Sequence, residues 1–263
     1  MQTRNDALSL PIFPGEMWFE RILPNPMGKV PGRCYQAREV FMSAEEQFVE
    51  KVKAGDLSTV RELVERDNSL ANARDASGTS VVLLAIYYGR QDVADLLVER
   101  GASIDIFEAA ALGDVARLQG LLAAHPERVR SFSHDGWTPL HLAAFFGQPG
   151  AANALIATGP DLNALAKNSN SNTPLQAAVA SRKVNLARIL IAAGADVNVR
   201  TGYGWTALQI AAHNGDLETA RLLIESSADA HARNDNGQAA TAIAAAAGHK
   251  ELASYLEGEE QKK

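Results

Sequence analysis

The stretch "GWTPLHLAAFFG", residues 136–147, contains both the start signal and the stop signal of one short helix. Thr138 can cap a helix by accepting hydrogen bonds from backbone N–H groups, and Pro139 loses no hydrogen bond at the first helical position. Gly147 can adopt the left-handed conformation that ends a helix. We therefore predict a helix between Thr138 and Gly147, with two adjacent phenylalanines just before the closing glycine.

This stretch returns along the chain with substitutions, as "SNTPLQAAVASRKVNLARILIAAGADVNV" from residue 171 and "GWTALQIAAHNGDLETARLLIESSADAHA" from residue 204. The residues that close each predicted first helix are separated by 34, 24, 34, 35, 33 and 33 positions: Gly55, Gly89, Gly113, Gly147, Arg182, Gly215 and Gly248. The spacing predicts seven units, each with two short helices. Since neither helix can bury its apolar face alone, the units must stack into a solenoid with a continuous core.

The repeated pattern resembles the ankyrin repeat, whose signature is a turn, then T-P-L-H-x-A, a pair of helices and a G-A-D ending. "TPLHLAA" from Thr138 matches in full, and "GASID", "GADVN" and "SADAH" close units at the expected place. The resemblance covers residues 44–258. It implies an all-α fold, an ankyrin-repeat solenoid of stacked helix-turn-helix units with short hairpin fingers.

Three departures from the family pattern predict local differences. The third unit, "IDIFEAAALGDVARLQGLLAAHPE", is about ten residues short and lacks the finger, so we expect a gap or bend there. The first unit looks much like it, which suggests a two-unit array (44–105) that abuts a five-unit array (106–258) within residues 43–258. Arg182 replaces a closing glycine, and "AKNSNSN", residues 166–172, lies in a finger about two residues longer than its neighbours.

The two ends of the chain differ from the repeats. Residues 1–41 hold five of the ten prolines and no repeat, so residues 1–42 are predicted to be a disordered or loosely packed extension. One hypothesis is that translation starts at Met42, directly before a natural helix start. The alternative is a genuine arm, in which Trp18 and Phe19 dock on the array. Residues 259–263 are predicted to be a charged C-terminal tail.

Composition excludes several classes of function. The formal net charge of -6 argues against binding to nucleic acid or to anionic lipid, since those surfaces attract clustered lysine and arginine. No segment is apolar for the eighteen residues that a membrane-spanning helix needs. Cys34 is the single cysteine, so no intrachain disulfide can form. We expect a cytoplasmic monomer without a cofactor.

No catalytic or metal-binding constellation is visible in the sequence. His134, Asp135 and Ser131 mimic the composition of a catalytic triad, but all three lie in one predicted finger. "GYGWTA", residues 202–207, satisfies G-x-G-x-x-A only formally, because its glycines fall in a finger turn. The family resemblance gives His141 a structural role in hydrogen bonding between units. We predict that the chain is not an enzyme.

In the ankyrin family, partners contact the fingertips and the two positions before the closing glycine. Carried onto this chain, those positions imply a partner-binding set: Tyr87, Tyr88, Leu112, His134, Asp135, Trp137, Phe145, Phe146, Asn170, Asn172, Tyr203, Trp205, His213, Asn214 and Gln238. Seven of them are aromatic, and several exposed aromatics on one face usually mark an interaction site. Two alternatives stay open. Trp137 and Trp205 could pack between fingers, and Phe145 and Phe146 could fill the gap left by the missing finger.

The sequence therefore favours a non-enzymatic module that binds a partner protein through its concave helix face and its fingers. The alternative is a regulatory or sensor subunit of an enzyme system, with a small ligand bound in the groove near the fingerless third unit. An open apolar strip would favour the first, and convergent polar groups the second.

Overall fold

The structure, a computed structural model, describes residues 43–262. The predictions for residues 1–42, including the Met42 start, the docking of Trp18 and Phe19 and the position of Cys34, lie outside the described residues. Residues 43–262 contain no β-strand and form two 3₁₀ helices, Asn68–Asn72 and Pro126–Arg130, and fourteen α-helices. The α-helices are α1 Ala44–Ala54, α2 Leu57–Arg66, α3 Val81–Tyr87, α4 Gln91–Glu99, α5 Ile106–Leu112, α6 Val115–Ala124, α7 Pro139–Phe146, α8 Pro149–Ile156, α9 Pro174–Ala180, α10 Val184–Ala192, α11 Ala207–Asn214, α12 Leu217–Glu225, α13 Ala240–Ala246 and α14 Lys250–Glu260.

Consecutive helices form helix-turn-helix units. Each first helix (α1, α3, α5, α7, α9, α11 and α13) packs on its own second helix, and each of them except α13 also packs on the first helix of the next unit. The all-α solenoid predicted from the repeats is therefore confirmed. One hydrophobic core runs along the array from Phe48 to Leu256, and it continues across residue 105. The division into arrays 44–105 and 106–258 stays a prediction.

The starts of the first helices follow the capping signal in the sequence. Thr138, Thr173 and Thr206 each cap a helix, and in each case the third helical residue bonds back to the cap. These reciprocal bonds satisfy N–H groups that a helix start would otherwise leave unpaired. In these three units, the capping residues in the sequence therefore specify where the first helix begins.

The ends of the first helices also follow the sequence. Gly147 closes α7 in the left-handed conformation, with φ 76°. Arg182 takes the same conformation after α9, with φ 58°, although it carries a side chain. For a residue other than glycine, this backbone conformation costs roughly 1–2 kcal/mol. The replacement predicted from sequence therefore keeps the shape of the repeat at an energetic cost.

The fingers are tight turns, each closed by a backbone hydrogen bond. In the fourth unit the Ser133 N–H donates to the Trp137 carbonyl over 2.8 Å, and equivalent bonds close the second, sixth and seventh fingers. In the fifth unit the bond runs from the Ala166 N–H to the Asn172 carbonyl, which makes this finger two residues longer, as predicted. The third unit has no finger, because Asp105 caps α5 directly.

The C-terminal end departs from the prediction. Helix α14 continues to Glu260, so residues 259 and 260 belong to the last helix and not to a tail. The Thr241 hydroxyl donates to a Glu260 carboxylate oxygen over 2.6 Å, which holds the end of α14 on α13. Among residues 43–262, no helix combines the length and the apolar character required to cross a membrane.

Candidate partner-binding groove

A ladder of side-chain hydrogen bonds holds neighbouring units in register. His141 Nε2 lies 2.8 Å from the Asn172 carbonyl oxygen of the next unit. Gln176 and Gln209, at the same helix position, donate in the same way to the carbonyls of Val199 and Ala232. The structural role expected for His141 is therefore confirmed.

The His141 ring is neutral in this position. Burial lowers its pKa to about 4. Because a carbonyl oxygen can only accept, Nε2 carries the proton, and Nδ1 faces the Thr138 cap at 2.7 Å from its hydroxyl oxygen. This arrangement uses both ring nitrogens, which explains why the side chain is fully buried without a counter-charge.

The ladder is interrupted where the third finger is missing. The equivalent position in α3 is Leu83, which is apolar and buried. A polar side chain here would have no finger carbonyl in the third unit to bind. In α5 the position is Glu108, whose carboxylate turns back and accepts from the Ser80 hydroxyl at 2.7 Å and from the Asp105 N–H at 3.0 Å.

Across the gap, the second unit touches the fourth. A Cβ on Gly78, at the tip of the second finger, would lie 2.9 Å from Nδ1 of His134 in the fourth finger. The Tyr87 hydroxyl donates to the Asp135 carboxylate, and Ser133 donates to the same group. Asp135 is therefore a link between units. The triad-like residues are not brought together, since the Ser131 hydroxyl donates to the Arg128 carbonyl over 2.6 Å.

The same gap gathers four aromatic rings into one cluster. The Tyr87 and Phe146 ring centroids lie 5.3 Å apart, and those of Phe145 and Trp137 lie 5.0 Å apart. Phe145 meets Phe146 edge to face at 5.2 Å. Burial and the nearby Asp135 carboxylate raise the pKa of Tyr87 well above its usual value.

Three of the seven aromatic residues in the predicted partner-binding set are buried in this cluster. Trp137, Tyr87 and Phe145 have exposed fractions of 0%, 4% and 8%. Without a third finger, the end of α3 faces the fourth finger directly, and these rings fill the space. Trp137 therefore packs inside the array, as one alternative predicted, and Phe145 fills the gap left by the missing finger, as the other predicted.

Next to this cluster lies an open groove with a volume of about 510 Å³. We call it the aromatic groove, and it is lined by Ile86, Tyr87, Tyr88, Gly89, Phe145, Phe146, Ser181 and Lys183. Tyr88 and Phe146 are half-buried, so each keeps part of its ring at the surface. Burial raises the pKa of the Tyr88 hydroxyl, and nearby Lys53 partly opposes the shift. Four predicted residues, two from the second unit and two from the fourth, thus meet in one place.

Ile86 and Lys183 also line the groove, and the sequence analysis missed both. Lys183 immediately precedes α10, where Asp56, Asp114 and Asp216 cap the second helices of other units. Arg90, Gln148 and His249 hold the same position in the remaining units, so the residue type at this position gave no clear signal in the sequence. Its stem lies over the closing glycine of the fourth unit, because a Cβ on Gly147 would be 3.0 Å from the Lys183 Cδ atom.

One basic side chain, that of Lys183, lines the aromatic groove, and a second, that of Arg90, follows the lining residue Gly89 but lies over Gly55 of the first unit. Lys183 is exposed at the fifth unit, and Arg90, next to Gly89, donates from Nε to the Lys53 carbonyl over 3.2 Å. Lys53 pairs with Glu50 over 2.9 Å. Within residues 43–262, neither Lys183 nor Arg90 has a carboxylate within salt-bridge distance.

The other predicted residues lie away from the groove. Asn170 and Asn172 are buried, which is a correction, because the base of the long fifth finger is held on the array by the Asn172 carbonyl, which accepts from His141 and from the Ala166 N–H. Leu112 is half-buried against the core. Tyr203 is 46% exposed at a fingertip, and Trp205 is half-buried with its ring 5.9 Å from His213. Asn214 donates to the Val179 carbonyl, and the Gln238 carbonyl accepts from Gln209.

A smaller cleft marks the place of the missing finger. It measures about 170 Å³ and is bordered by Arg74, Ser80, Asp105, Glu108 and His134, among others. Small-molecule sites usually occupy about 300–1,000 Å³. The cleft is therefore smaller than the ligand pocket of the alternative function would need to be.

Comparison with protein families gives one matching model, "Ankyrin repeats (3 copies)", over residues 106–201 and 199–262. Over 160 residues the chain is 29% identical to "Neurogenic locus notch homolog protein 1" of Mus musculus, an alignment that covers 57% of this chain and 6% of that protein. It is 34% identical over 94 residues to "Probable E3 ubiquitin-protein ligase XBOS31" of Oryza sativa subsp. japonica, with coverages of 35% and 21%. The similarity to these relatives thus spans only a small part of their length.

Proposed function

Because the chain belongs to the ankyrin repeat family, we propose that it is a non-enzymatic interaction module that holds a partner protein in the aromatic groove. Ankyrin repeats indicate a protein–protein interaction module, and the groove is the surface on this chain that best suits such a role. The observation that carries the proposal is the half-buried pair Tyr88 and Phe146, which face one open apolar volume of about 510 Å³ from two different units.

The physical reason is the unused apolar surface of these rings. Leaving about a third of an aromatic side chain in water forgoes on the order of 1 kcal/mol, at roughly 25 cal/mol per Å². A partner's apolar side chain, presented on a loop or a helix, would cover Tyr88 and Phe146 together. The buried neighbours Tyr87 and Phe145 hold the Phe146 ring in place, so little entropy is lost when a partner covers it.

A protein is a better partner for this groove than a nucleic acid or a small molecule. The chain carries a formal net charge of -6, which disfavours phosphate backbones. The groove is open and mainly apolar, whereas small-molecule sites enclose most of their ligand. The fingertips, with exposed Tyr203 and half-buried Trp205, offer a second contact surface to the same partner.

The test is affinity capture from native lysate with three forms of the full chain, each checked by circular dichroism. One form is unchanged, one carries Tyr88→Ala with Phe146→Ala, and the matched control carries Tyr203→Ala with Trp205→Ala. We expect a protein that the unchanged chain and the finger control retain and the groove variant loses. Equal capture by the groove variant would overturn the groove as the site, and loss with the control alone would move the site to the fingers.

A further inference from the structure

We propose that the aromatic groove is covered in the free protein by the chain's own residues 16–20, Glu-Met-Trp-Phe-Glu. The proposal rests on the groove assigned above, and it adds a competitor that a partner has to displace. Three properties support it: apolar content, charge and reach.

The first property is the chemistry of the segment. Trp18 and Phe19 are adjacent, and aromatic side chains bury about 150–250 Å² each when they are covered. The groove offers the matching surface, with apolar walls from the second and fourth units and the exposed edges of Tyr88 and Phe146. Phe13, Tyr35 and Phe41 also precede the array, but each stands without an aromatic neighbour.

The second property is complementary charge. Glu16 and Glu20 stand on either side of Met17, Trp18 and Phe19. Lys183 lines the groove and Arg90 directly follows the lining residue Gly89, and neither has an ion-pair partner among the described residues. An acidic residue beside the aromatic pair of the segment therefore matches Lys183 in the groove, and such a match fixes orientation more than it adds affinity.

The third property is reach. Residues 20–42 connect Phe19 to Ser43, the cap of α1. This connection spans up to about 80 Å when extended, at about 3.3–3.6 Å per residue. Phe146 lies roughly 35 Å from Ser43, if α1 rises ~1.5 Å per residue and three successive units are each spaced by ~10 Å. The segment can therefore reach the groove, and because it is tethered its effective concentration there is high.

The experiment uses the full 263-residue chain with the photo-crosslinking amino acid p-benzoyl-phenylalanine in place of Trp18. The matched control carries the same amino acid in place of Phe13. After irradiation of a dilute sample, we expect crosslinks within single chains, mapped by mass spectrometry to peptides that contain Tyr88 or Phe146. At position 13 we expect at least threefold fewer crosslinks to those peptides.

Charge variants test the orientation. Lys183→Glu should reduce the crosslinks from position 18 at least threefold, whereas Lys250→Glu, which changes an exposed lysine in the last unit, should leave them unchanged. Crosslinks to another surface, crosslinks mainly between two chains, equal yields from positions 13 and 18, or no crosslink at all would overturn the proposal. The capture experiment does not depend on residue 18, so the partner-binding function can stand if this proposal fails.

Discussion

The Tyr87 hydroxyl donates a hydrogen bond to the Asp135 carboxylate, although 48 positions separate the two residues in the chain. Tyr87 belongs to the second unit and Asp135 to the finger of the fourth. The bond crosses the third unit because that unit has no finger to keep them apart. It also places the Tyr87 ring beside Phe146, and this contact forms one wall of the aromatic groove.

Tyr87→Phe should lower the free energy of unfolding by about 1.5 kcal/mol, because a buried hydrogen bond to a charged group is lost. Urea denaturation at neutral pH measures the change. The control is Tyr203→Phe at an exposed tyrosine, which should stay within about 0.5 kcal/mol of the unchanged chain. Equal stability of the two variants would show that the Tyr87–Asp135 bond does not contribute in solution.

His141 should make the array sensitive to mild acid. Its pKa falls from 6.5 in the unfolded chain to about 4 in the folded one, because burial disfavours the charged ring. The unfolded state therefore binds more protons, and stability falls as the pH drops from about 6.5 to about 4, by about 3 kcal/mol in total.

The matched variant for this effect is His141→Gln, since glutamine makes the same bond between units in α9 and α11. We expect its free energy of unfolding to change much less than that of the unchanged chain between pH 6.5 and 4. A remaining slope is expected from His213, because partial burial also lowers its pKa. Parallel pH profiles for the two proteins would contradict the assignment to His141.

Arg182→Gly should raise the free energy of unfolding by about 1 kcal/mol, because glycine removes the cost of the left-handed backbone. The reverse change, Gly89→Ala, should lower it by about the same amount. Gly89 has φ 67°, and a Cβ added there would meet no other atom, so the change in stability reports the cost of the left-handed backbone without a steric clash. Thermal unfolding of both variants measures the two changes in stability. If Arg182→Gly destabilises the protein, the hydrogen bond from the Arg182 guanidinium to the Asn214 carbonyl contributes more than the backbone strain costs.

Leu256→Ala should destabilise the C-terminal end of the array by about 2–4 kcal/mol, because the Leu256 side chain is fully buried at the last helix pair. Hydrogen exchange should show the loss mainly in α13 and α14, since units in such an array stabilise their neighbours. The control is Glu257→Ala at an exposed position. Deletion of residues 248–263 should likewise lower the melting temperature, and an unchanged value would contradict the role of α14 as a cap.

If residues 16–20 cover the groove, the native protein must contain them. Mass spectrometry of protein purified from its natural source should then find peptides from residues 5–33. A native N-terminus at Met42, with no such peptide, would support the alternative start predicted from the sequence and remove the segment.

The sequence alone determined the repeat architecture. Residues close together in the chain define each unit. Thr138, Pro139 and Gly147 specify where α7 begins and ends, and the same residue types recur at a regular period. The sequence also predicted the missing third finger, the long fifth finger and the substitution at Arg182, because each is a change of length or residue type within one unit. Helix capping and helix ends in the left-handed conformation depend on residues that are close in the chain, so a sequence pattern is sufficient to predict them.

The tertiary structure alone decided which aromatics are buried and which remain at the surface. Trp137 and Trp205 occupy the same position in their units, yet Trp137 is fully buried and Trp205 is half-buried. The difference arises because the fourth finger meets α3 across the gap, which buries Trp137 beneath Tyr87 and Phe145, whereas Trp205 follows a complete unit. The position of Lys183 over Gly147 is likewise a contact between units. Such contacts depend on how one unit approaches another in space, and a repeat pattern describes each unit separately.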